Sequence, residues 1–458
     1  MAASAISQRA FWGIQALNLE RNEILYERNA RQFFLPASTT KLFTTALALM
    51  RLGPDYRFHT RVEADRTPDP EGRILGDVYL VGGGDPTLSG RAYPYVKGPK
   101  TGDPLEPIAE LAQQVVAAGV RRIEGDIVGD DTAYVWEPYP DGWALDDALW
   151  EYGAPVSALT VNDNVVSLRL EGRREGEAPA VTPSPPLDYY VIDNRVRVTR
   201  QGGTVRVERL PGSRHLRLWG ALSPGQTRDF SLAIQDPALY AAQALADALR
   251  RRGVVITGRA AARHRFANES YTVESREADV VLARRTSPPL VEILTVIDKV
   301  SQNLHAELVL REVGRVCRNQ GSREAGLEEL GAFLAEAGIP RTEYRFLDGS
   351  GLSRQNLVTP AAVVRLLSYM RRSPHREAWI ALLPIGAEDG TLSGRFSGAP
   401  RAARIRAKTG TLARASALAG YAESSQGALA FAVFANNYLA PASEMRSLID
   451  KIVLVLAE

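Results

Sequence analysis

The chain has a single cysteine, Cys317, among 458 residues. That excludes an internal disulfide framework and any metal site built on a thiolate cluster. A lone thiol fits a cytosol and a bacterial export space alike. No stretch reaches the ~18 consecutive apolar residues of a membrane helix. The best candidate, Leu42 to Leu52, is short, carries threonines and an arginine, and reads as a buried core helix. The start, Met1-Ala2-Ala3-Ser4, lacks the basic residues and apolar run of a secretory signal. Net charge is also missing, with 55 basic residues against 53 acidic ones. A balance of +2 offers no broad phosphate-neutralising surface, which argues against a nucleic-acid partner. With 45% apolar and 24% charged residues the chain is neither disordered nor collagen-like, and its length suits two or three domains.

Lysine is scarce. Six of the 55 basic residues are lysine: Lys41, Lys97, Lys100, Lys299, Lys408 and Lys451. The rest are arginine, which fits a genome rich in arginine codons. Arginine cannot lose its proton in a protein, whereas a desolvated lysine can become neutral and act as a base. The few lysines are therefore the place to look for chemistry.

Along the chain, Phe11 to Leu17 and Ile24 to Tyr26 flank a turn at Arg21-Asn22-Glu23 and read as a β-hairpin. Pro36 sits near the start of a helix running from Thr39 to Leu52. Two later stretches resemble each other. Ile108 to Val128 and Pro237 to Gly258 each read as a helix, then Gly-Val, then Ile-x-Gly. They are either two ordinary helix-to-strand units or the two halves of one α/β domain. Between them, Val165 to Leu232 alternates in strand fashion, with breaks at Pro183-Ser184-Pro185-Pro186, Gly202-Gly203 and Pro211-Gly212. This region reads as a small β domain nested in the α/β one. Pro289 to Val313 has helical spacing throughout, followed by helices near Leu327 to Ala337 and Pro360 to Arg372. Ala428 to Asn436 reads as a strand and Ala442 to Leu456 as a helix.

Three short patterns carry chemistry. In Ser38-Thr39-Thr40-Lys41 a spacing of three on a helix puts hydroxyl and amine on one face, so the amine can take the hydroxyl proton. A helix start also favours an oxyanion. Ser301-Gln302-Asn303 is the chain's one Ser-x-Asn. Lys408-Thr409-Gly410-Thr411 follows a strand-like run, and glycine there lets another group approach the backbone closely. Each pattern alone is weak; together, once each and in this order, they form a set that holds two of six lysines.

Other chemistries fit less well. A Gly-x-Ser-x-Gly elbow is absent, and the five histidines (His59, His215, His264, His305, His375) are scattered with no His-Glu-x-x-His, so neither an α/β-hydrolase nor a zinc site is expected. No cofactor is indicated. His305 near Ser301 reads as a helix-packing residue. Val81-Gly82-Gly83-Gly84-Asp85-Pro86 lacks the Gly-Lys-Ser/Thr ending of a phosphate loop and reads as a tight turn after a strand. Asn268-Glu269-Ser270 fits a glycosylation sequon by coincidence.

The three patterns in order resemble the motif set of penicillin-binding proteins and class A β-lactamases. The likeness extends over Pro36 to Leu47, Gly76 to Leu88, Gly125 to Asp131, Tyr152 to Asn164, Ser301 to Leu308, Asp348 to Arg354 and Lys408 to Tyr421. On these stretches the chain resembles the class C low-molecular-mass penicillin-binding proteins, the D-alanyl-D-alanine carboxypeptidase/endopeptidase family typified by penicillin-binding protein 4. The 263 positions from Ser38 to Ser301 suit that branch, whose gap holds inserted domains. The implied fold is α/β (α+β): a serine β-lactamase/DD-peptidase-like domain over residues 1–60 and 285–458, an inserted α/β domain over 61–164 and 233–284, and a nested all-β domain over 165–232.

The resemblance also implies a mechanism. Ser38 attacks the carbonyl of a D-Ala-D-Xaa bond, with neutral Lys41 as base and Lys408 nearby depressing its pKa. Ser301 passes a proton to the leaving amine, and Asn303 orients Lys41 and binds the substrate amide. Lys408 and Thr409 hold the terminal carboxylate, and the N–H groups of Ser38 and Thr411 form the oxyanion hole. Gly142 to Asp147 with Tyr152-Gly153 also looks family-like, and there Asp146 or Asp147 would take the cationic end of a peptidoglycan stem peptide. β-Lactams, as substrate mimics, would acylate Ser38. Gln302 stands where aspartate is common, with little effect expected. A peptidoglycan substrate implies export to the periplasm or beyond, so a signal removed from this chain is expected. The competing readings are a β-lactamase or D-amino-peptide esterase on the same fold, and a non-catalytic peptidoglycan-binding homologue.

Overall fold

The computed structural model describes residues 9–267, 280–425 and 427–458. The sequon at Asn268 lies outside them.

The hairpin forms as the turn residues dictate, Phe11–Asn18 pairing antiparallel with Glu23–Arg28, with Asn22 in the left-handed region at the turn. The first of these strands also pairs with Gly427–Asn436 near the other end of the chain, Phe11 opposite Asn436. The result is a five-stranded sheet in the order Ile405–Leu412, Ala415–Ser424, Gly427–Asn436, Phe11–Asn18, Glu23–Arg28. Successive residues of a strand face opposite sides, and both sides are buried on the inner strands Ala415–Ser424 and Gly427–Asn436, while the edge strand Glu23–Arg28 is exposed along its length. Phe431, Val433 and Ala435 pack with Trp12, Ile14 and the C-terminal helix Ala442–Leu456. Ala430, Ala432 and Phe434 instead pack on Leu42, Phe43 and Leu47 of the helix Lys41–Arg51 and on Leu294 and Ile297. Near-continuous apolar strands are the sequence signature of a sheet covered on both faces.

The region expected to be one long helix from Pro289 to Val313 is two. Leu290–Val300 ends at Ser301, which adopts φ 62°, ψ 40°, and Asn303–Arg318 starts afresh. Gln302 caps the second helix, its side-chain oxygen accepting from the Leu304 N–H at 2.8 Å. The apolar spacing continues across the break even though Leu294 and Ile297 pack in one cluster and Leu304 and Leu308 in another, and spacing alone cannot register one left-handed residue.

The two similar stretches become neighbours. Helix Glu106–Ala117 leads into strand Arg122–Glu124, and helix Pro237–Arg251 into Val255–Ile256. These strands pair in parallel, Ile123 opposite Ile256, and the following strands Ile127–Val135 and Ala260–Arg265 pair in parallel as well. Residues between them form two three-stranded sheets, one of Thr227–Ala233, Val165–Glu171 and Ala180–Ser184, the other of Val191–Val198, His215–Leu222 and Arg206–Arg209. One hydrophobic cluster runs through both parts, from Ile108, Leu111 and Ile123 to Leu168, Val196 and Leu218. The glycine-rich turn after strand Val78–Val81 is a crowded passage, since a Cβ on Gly83 would lie 2.3 Å from the His59 carbonyl oxygen. No helix among the described residues is long and apolar enough to cross a membrane.

Candidate active site

The turn Pro36 to Thr40 places Ser38. It is one 3-10 turn, Ala37–Thr40, feeding directly into the helix Lys41–Arg51, with Ala37 at φ 48°. Ser38 Oγ and Lys41 Nζ lie 3.0 Å apart. Lys41 Nζ also donates to Asn303 Oδ1 at 2.6 Å and to the Ser350 carbonyl at 2.6 Å. Both partners are pure acceptors, so they use the two N–H bonds of a neutral amine and leave its lone pair facing the Ser38 hydroxyl. Lys41 is fully buried, and burial holds its pKa well below the usual lysine value, with the charge of Lys408 acting in the same direction. A hydroxyl this close to a neutral amine has the geometry in which a serine can be activated as a nucleophile.

Asn303 is held from behind, its Nδ2 donating to the Tyr152 carbonyl at 2.8 Å. That contact fixes which end of the amide faces the lysine. Ser301 projects from the break between the two helices, and Lys408 Nζ donates to its Oγ at 2.9 Å. Lys408 is fully buried too; burial lowers its pKa to about 8, against the opposing pull of Asp298. Asp298, fully buried near both lysines, accepts from Thr45 Oγ1 at 3.1 Å and is pushed up by burial to about 7.

Lys408 to Thr411 lie on Ile405–Leu412, an edge strand of the five-stranded sheet. An edge strand keeps backbone groups free to pair with an extended peptide. Gly410 is where this strand meets the Ser38 turn. A Cβ there would lie 2.5 Å from the Pro36 carbonyl oxygen and 3.2 Å from the Thr39 nitrogen. Thr409 Oγ1 donates to Thr391 Oγ1 at 2.9 Å, and Thr411 is exposed.

Sequence reasoning did not single out Ser350, Glu307, Asp298 or Thr391. Glu307 accepts from the Gly349 and Ser350 N–H groups at 2.9 and 2.8 Å, so it fixes the carbonyl that Lys41 meets. Asp348 accepts from Gly351, Ser353 and Asn356 within the same loop and from the Trp143 indole of the inserted stretch. The available signals are the resembling stretches Ser301 to Leu308 and Asp348 to Arg354, which contain Glu307 and Ser350 without giving either a role, and the turn cluster Asp-Gly-Ser-Gly at 348–351, which says nothing of its target.

The two aspartates of the inserted stretch are placed differently. Asp147 is 2% exposed; its carboxylate accepts the Ala144 N–H at 2.9 Å and pairs with the Arg354 guanidinium. It is already satisfied within the protein. Asp146 is exposed beside it. His305 is buried with Nε2 2.9 Å from Asp163 Oδ1, and burial lowers its pKa, so it is a neutral ring tying the helix to the 162–164 turn.

The model of the D-Ala-D-Ala carboxypeptidase 3 (S13) family matches residues 2–458. The chain is 34% identical to a D-alanyl-D-alanine carboxypeptidase of Actinomadura sp. (strain R39), over 97% of this chain and 81% of that one. It is 27% identical to the D-alanyl-D-alanine carboxypeptidase DacB of Haemophilus influenzae, over 93% of this chain and 85% of that one. The crystal structure of penicillin binding protein 4 from H. influenzae superposes with a TM-score of 0.85 at 23% identity, covering 100% of both chains. A penicillin G-acylated predatory endopeptidase from Bdellovibrio bacteriovorus has the same fold, with a TM-score of 0.54 at 17% identity over 98% of this chain and 92% of that one.

Proposed function

The chain belongs to the D-Ala-D-Ala carboxypeptidase 3 (S13) family of serine peptidases, and from that premise we propose that it cleaves D-Ala-D-Ala ends and D-Ala-containing cross-links of peptidoglycan through an acyl-enzyme on Ser38. The observation that carries this is the lysine arrangement. Lys41 Nζ stands 3.0 Å from Ser38 Oγ with its other hydrogen-bonding capacity used by Asn303 and Ser350, while Lys408 Nζ, at 2.9 Å, belongs to Ser301.

In this reading the Ser38 proton passes to Lys41 as Oγ bonds to the substrate carbonyl carbon. The carbonyl oxygen, now negative, sits between the N–H groups of Ser38 and Thr411. The C–N bond then breaks, and the leaving nitrogen takes a proton through Ser301. Water attacks the ester, releases the acid and restores the Ser38 hydroxyl. Asn303 both fixes Lys41 and meets the substrate amide. Protonated Lys408, with Thr409, binds the terminal carboxylate. Of the two adjacent aspartates, Asp146 takes the cationic end of the stem peptide, because Asp147 is already paired with Arg354. β-Lactams present the same carbonyl and acylate Ser38. The substrate lies outside the cytoplasmic membrane, so the protein works in the periplasm or an equivalent exported space.

The division into a peptidase domain (1–60 with 285–458), an inserted α/β domain (61–164 with 233–284) and a nested all-β domain (165–232) belongs to the same reading. Each sheet falls within one of these parts to within two residues.

The test is intact-protein mass after incubation with benzylpenicillin, for the parent and for Ser38→Ala. A lasting adduct on the parent, absent from the variant, is expected. Penicillin hydrolysed without an adduct would mean a β-lactamase; penicillin left intact would mean a protein that kept the fold and lost the chemistry.

A further inference from the structure

From Ser301 and Asn303, which form part of its wall, a cavity of about 670 Å³ extends well beyond the atoms that the steps above use. A water's share of liquid volume is ~30 Å³, so the space holds on the order of twenty waters. A single departing alanine, with six heavy atoms, fills a small part of it. Volumes of several hundred Å³ are those of sites that enclose a whole ligand.

The walls of the cavity are built from three directions. The catalytic side is the break between the two helices, Ser301 to Asn303. The far side is the sheet of Val165–Glu171, and there Ser231, Ser167 and Ser184 stand opposite one another across three strands and all line the cavity. Apolar residues are the usual occupants of a strand face; a row of hydroxyls offers donors and acceptors to a polar chain laid across it. The third wall is the segment that carries Arg91 and Lys100. Both cations reach the carboxylate of buried Asp163, whose turn, Asn162 to Asn164, holds three consecutive residues in the left-handed region. With Glu151 also in the wall, the charges of the lining balance. The cavity's cations are thus satisfied within the protein, and the row of hydroxyls suits a polar occupant with hydrogen-bonding groups along its length, such as a peptide.

Its position says which peptide. The segment bearing Arg91 and Lys100 continues to Lys97, whose Nζ donates to the Glu388 carbonyl at 2.6 Å. Glu388 is three residues from Thr391, the partner of Thr409 at the carboxylate-binding end of the cleft. The same segment therefore walls the cavity and reaches the end of the cleft where the departing part of the substrate sits. Ser301, on the rim, is the group that meets the leaving nitrogen.

We propose that this cavity is the seat of the leaving strand: when the scissile bond belongs to a cross-link, the peptide attached through its amine nitrogen lies against Ser167, Ser184 and Ser231. This rests on the peptidase reading above and makes the inserted β sheet the part of the molecule that distinguishes a cross-linked substrate from a free D-Ala-D-Ala end.

The experiment compares two substrates on the parent, Ser167→Trp and Ser184→Trp: a pentapeptide ending in D-Ala-D-Ala, which releases only alanine, and a purified cross-linked muropeptide dimer. Benzylpenicillin acylation reports an intact catalytic centre, and Ser184, exposed at the edge of the row, accepts a large side chain if Ser167 does not. Filling the cavity is expected to lower kcat/KM for the dimer at least tenfold, with alanine release and acylation within twofold of the parent. An unchanged ratio between the two substrates in a variant that still acylates would overturn the proposal, as would a parent that releases alanine and leaves the dimer whole. A parent that neither acylates nor releases alanine would instead sink the peptidase reading.

Discussion

The inserted α/β region and the catalytic cleft are built by opposite rules. In the core of the inserted region apolar residues follow the helix and strand periods, as Ile108, Leu111 and Val115 do on one helix and Ile123 does on the strand after it, while buried carboxylates such as Asp131, Asp147 and Asp163 lie outside that core. In the cleft the buried residues include Lys41, Lys408, Asp298 and Glu307, and Ala37 and Ser301 are held at positive φ. Burying charges and holding strained backbone cost stability, and they persist where function needs them. The hydrophobic core of the inserted region thus contributes stability by regularity, and the cleft gains reactivity from departures from it. The two meet at Tyr152, whose carbonyl orients Asn303, and at Trp143, whose indole N–H donates to Asp348 at 2.9 Å.

Lys41→Met breaks the cleft side of this contrast most sharply. It keeps the side chain's length and removes the base. Acylation by benzylpenicillin should fall about a thousandfold, within the range for loss of a general base. The folded structure should survive, because a buried amine is exchanged for an apolar chain of similar size; near-ultraviolet circular dichroism checks this. Acylation near the parent rate would mean that another group takes the Ser38 proton.

Ile123→Ala is the reverse experiment. Ile123 is fully buried between paired strands, so its truncation should cost about 2–5 kcal/mol, measured by urea unfolding. The acylation rate of the molecules that remain folded should not change. A fall in that rate without lost stability would mean that the inserted core is coupled to the chemistry.

What the sequence discloses divides along the same line. The hairpin at Asn22, the paired helix-to-strand units and the C-terminal helix Ala442–Leu456 follow from periodicity and turn residues, and the structure has them. The pattern residues Ser38, Lys41, Ser301, Asn303 and Lys408 could be picked out because lysine is so rare and the motif order so restricted. The left-handed turn at Ser301 could not, because a break of two residues leaves the apolar spacing on both sides intact. Ser350 and Tyr152 were also out of reach as functional groups, since each acts through its backbone carbonyl, which every residue has. Asp146 and Asp147 are indistinguishable by type, and only the position of Arg354 separates them.

The pH dependence of acylation sharpens the comparison within the cleft. Lys408 carries its proton below about 8 and loses it above, so acylation by a carboxylate-bearing β-lactam should decline as pH rises through about 8. Asp298 raises the pKa of Lys408 through its charge. In Asp298→Asn that support is gone, and the alkaline limb should move to lower pH. Stopped-flow acylation between pH 6 and 10 measures both; a limb that stays in place would mean that Asp298 is uncharged when Lys408 titrates.

The smallest effect is expected at Asp146, the exposed charge proposed to meet the stem peptide. Asp146 lies in the solvent-accessible stretch beside Tyr152, and an exposed ion pair is worth about 1 kcal/mol at most. Asp146→Ala should therefore raise KM about fivefold for a stem peptide with a free side-chain amine. The effect should vanish for the same peptide acetylated on that amine, and shrink in high salt as exposed charges are screened. Asp147→Ala should behave otherwise. It leaves Arg354 without its partner and removes the acceptor for the Ala144 N–H, so its loss should appear in stability and be insensitive to acetylation of the peptide. Equal responses of the two variants to acetylation would mean that the Arg354 pair opens to admit the substrate, and that the distinction drawn between the neighbouring carboxylates fails.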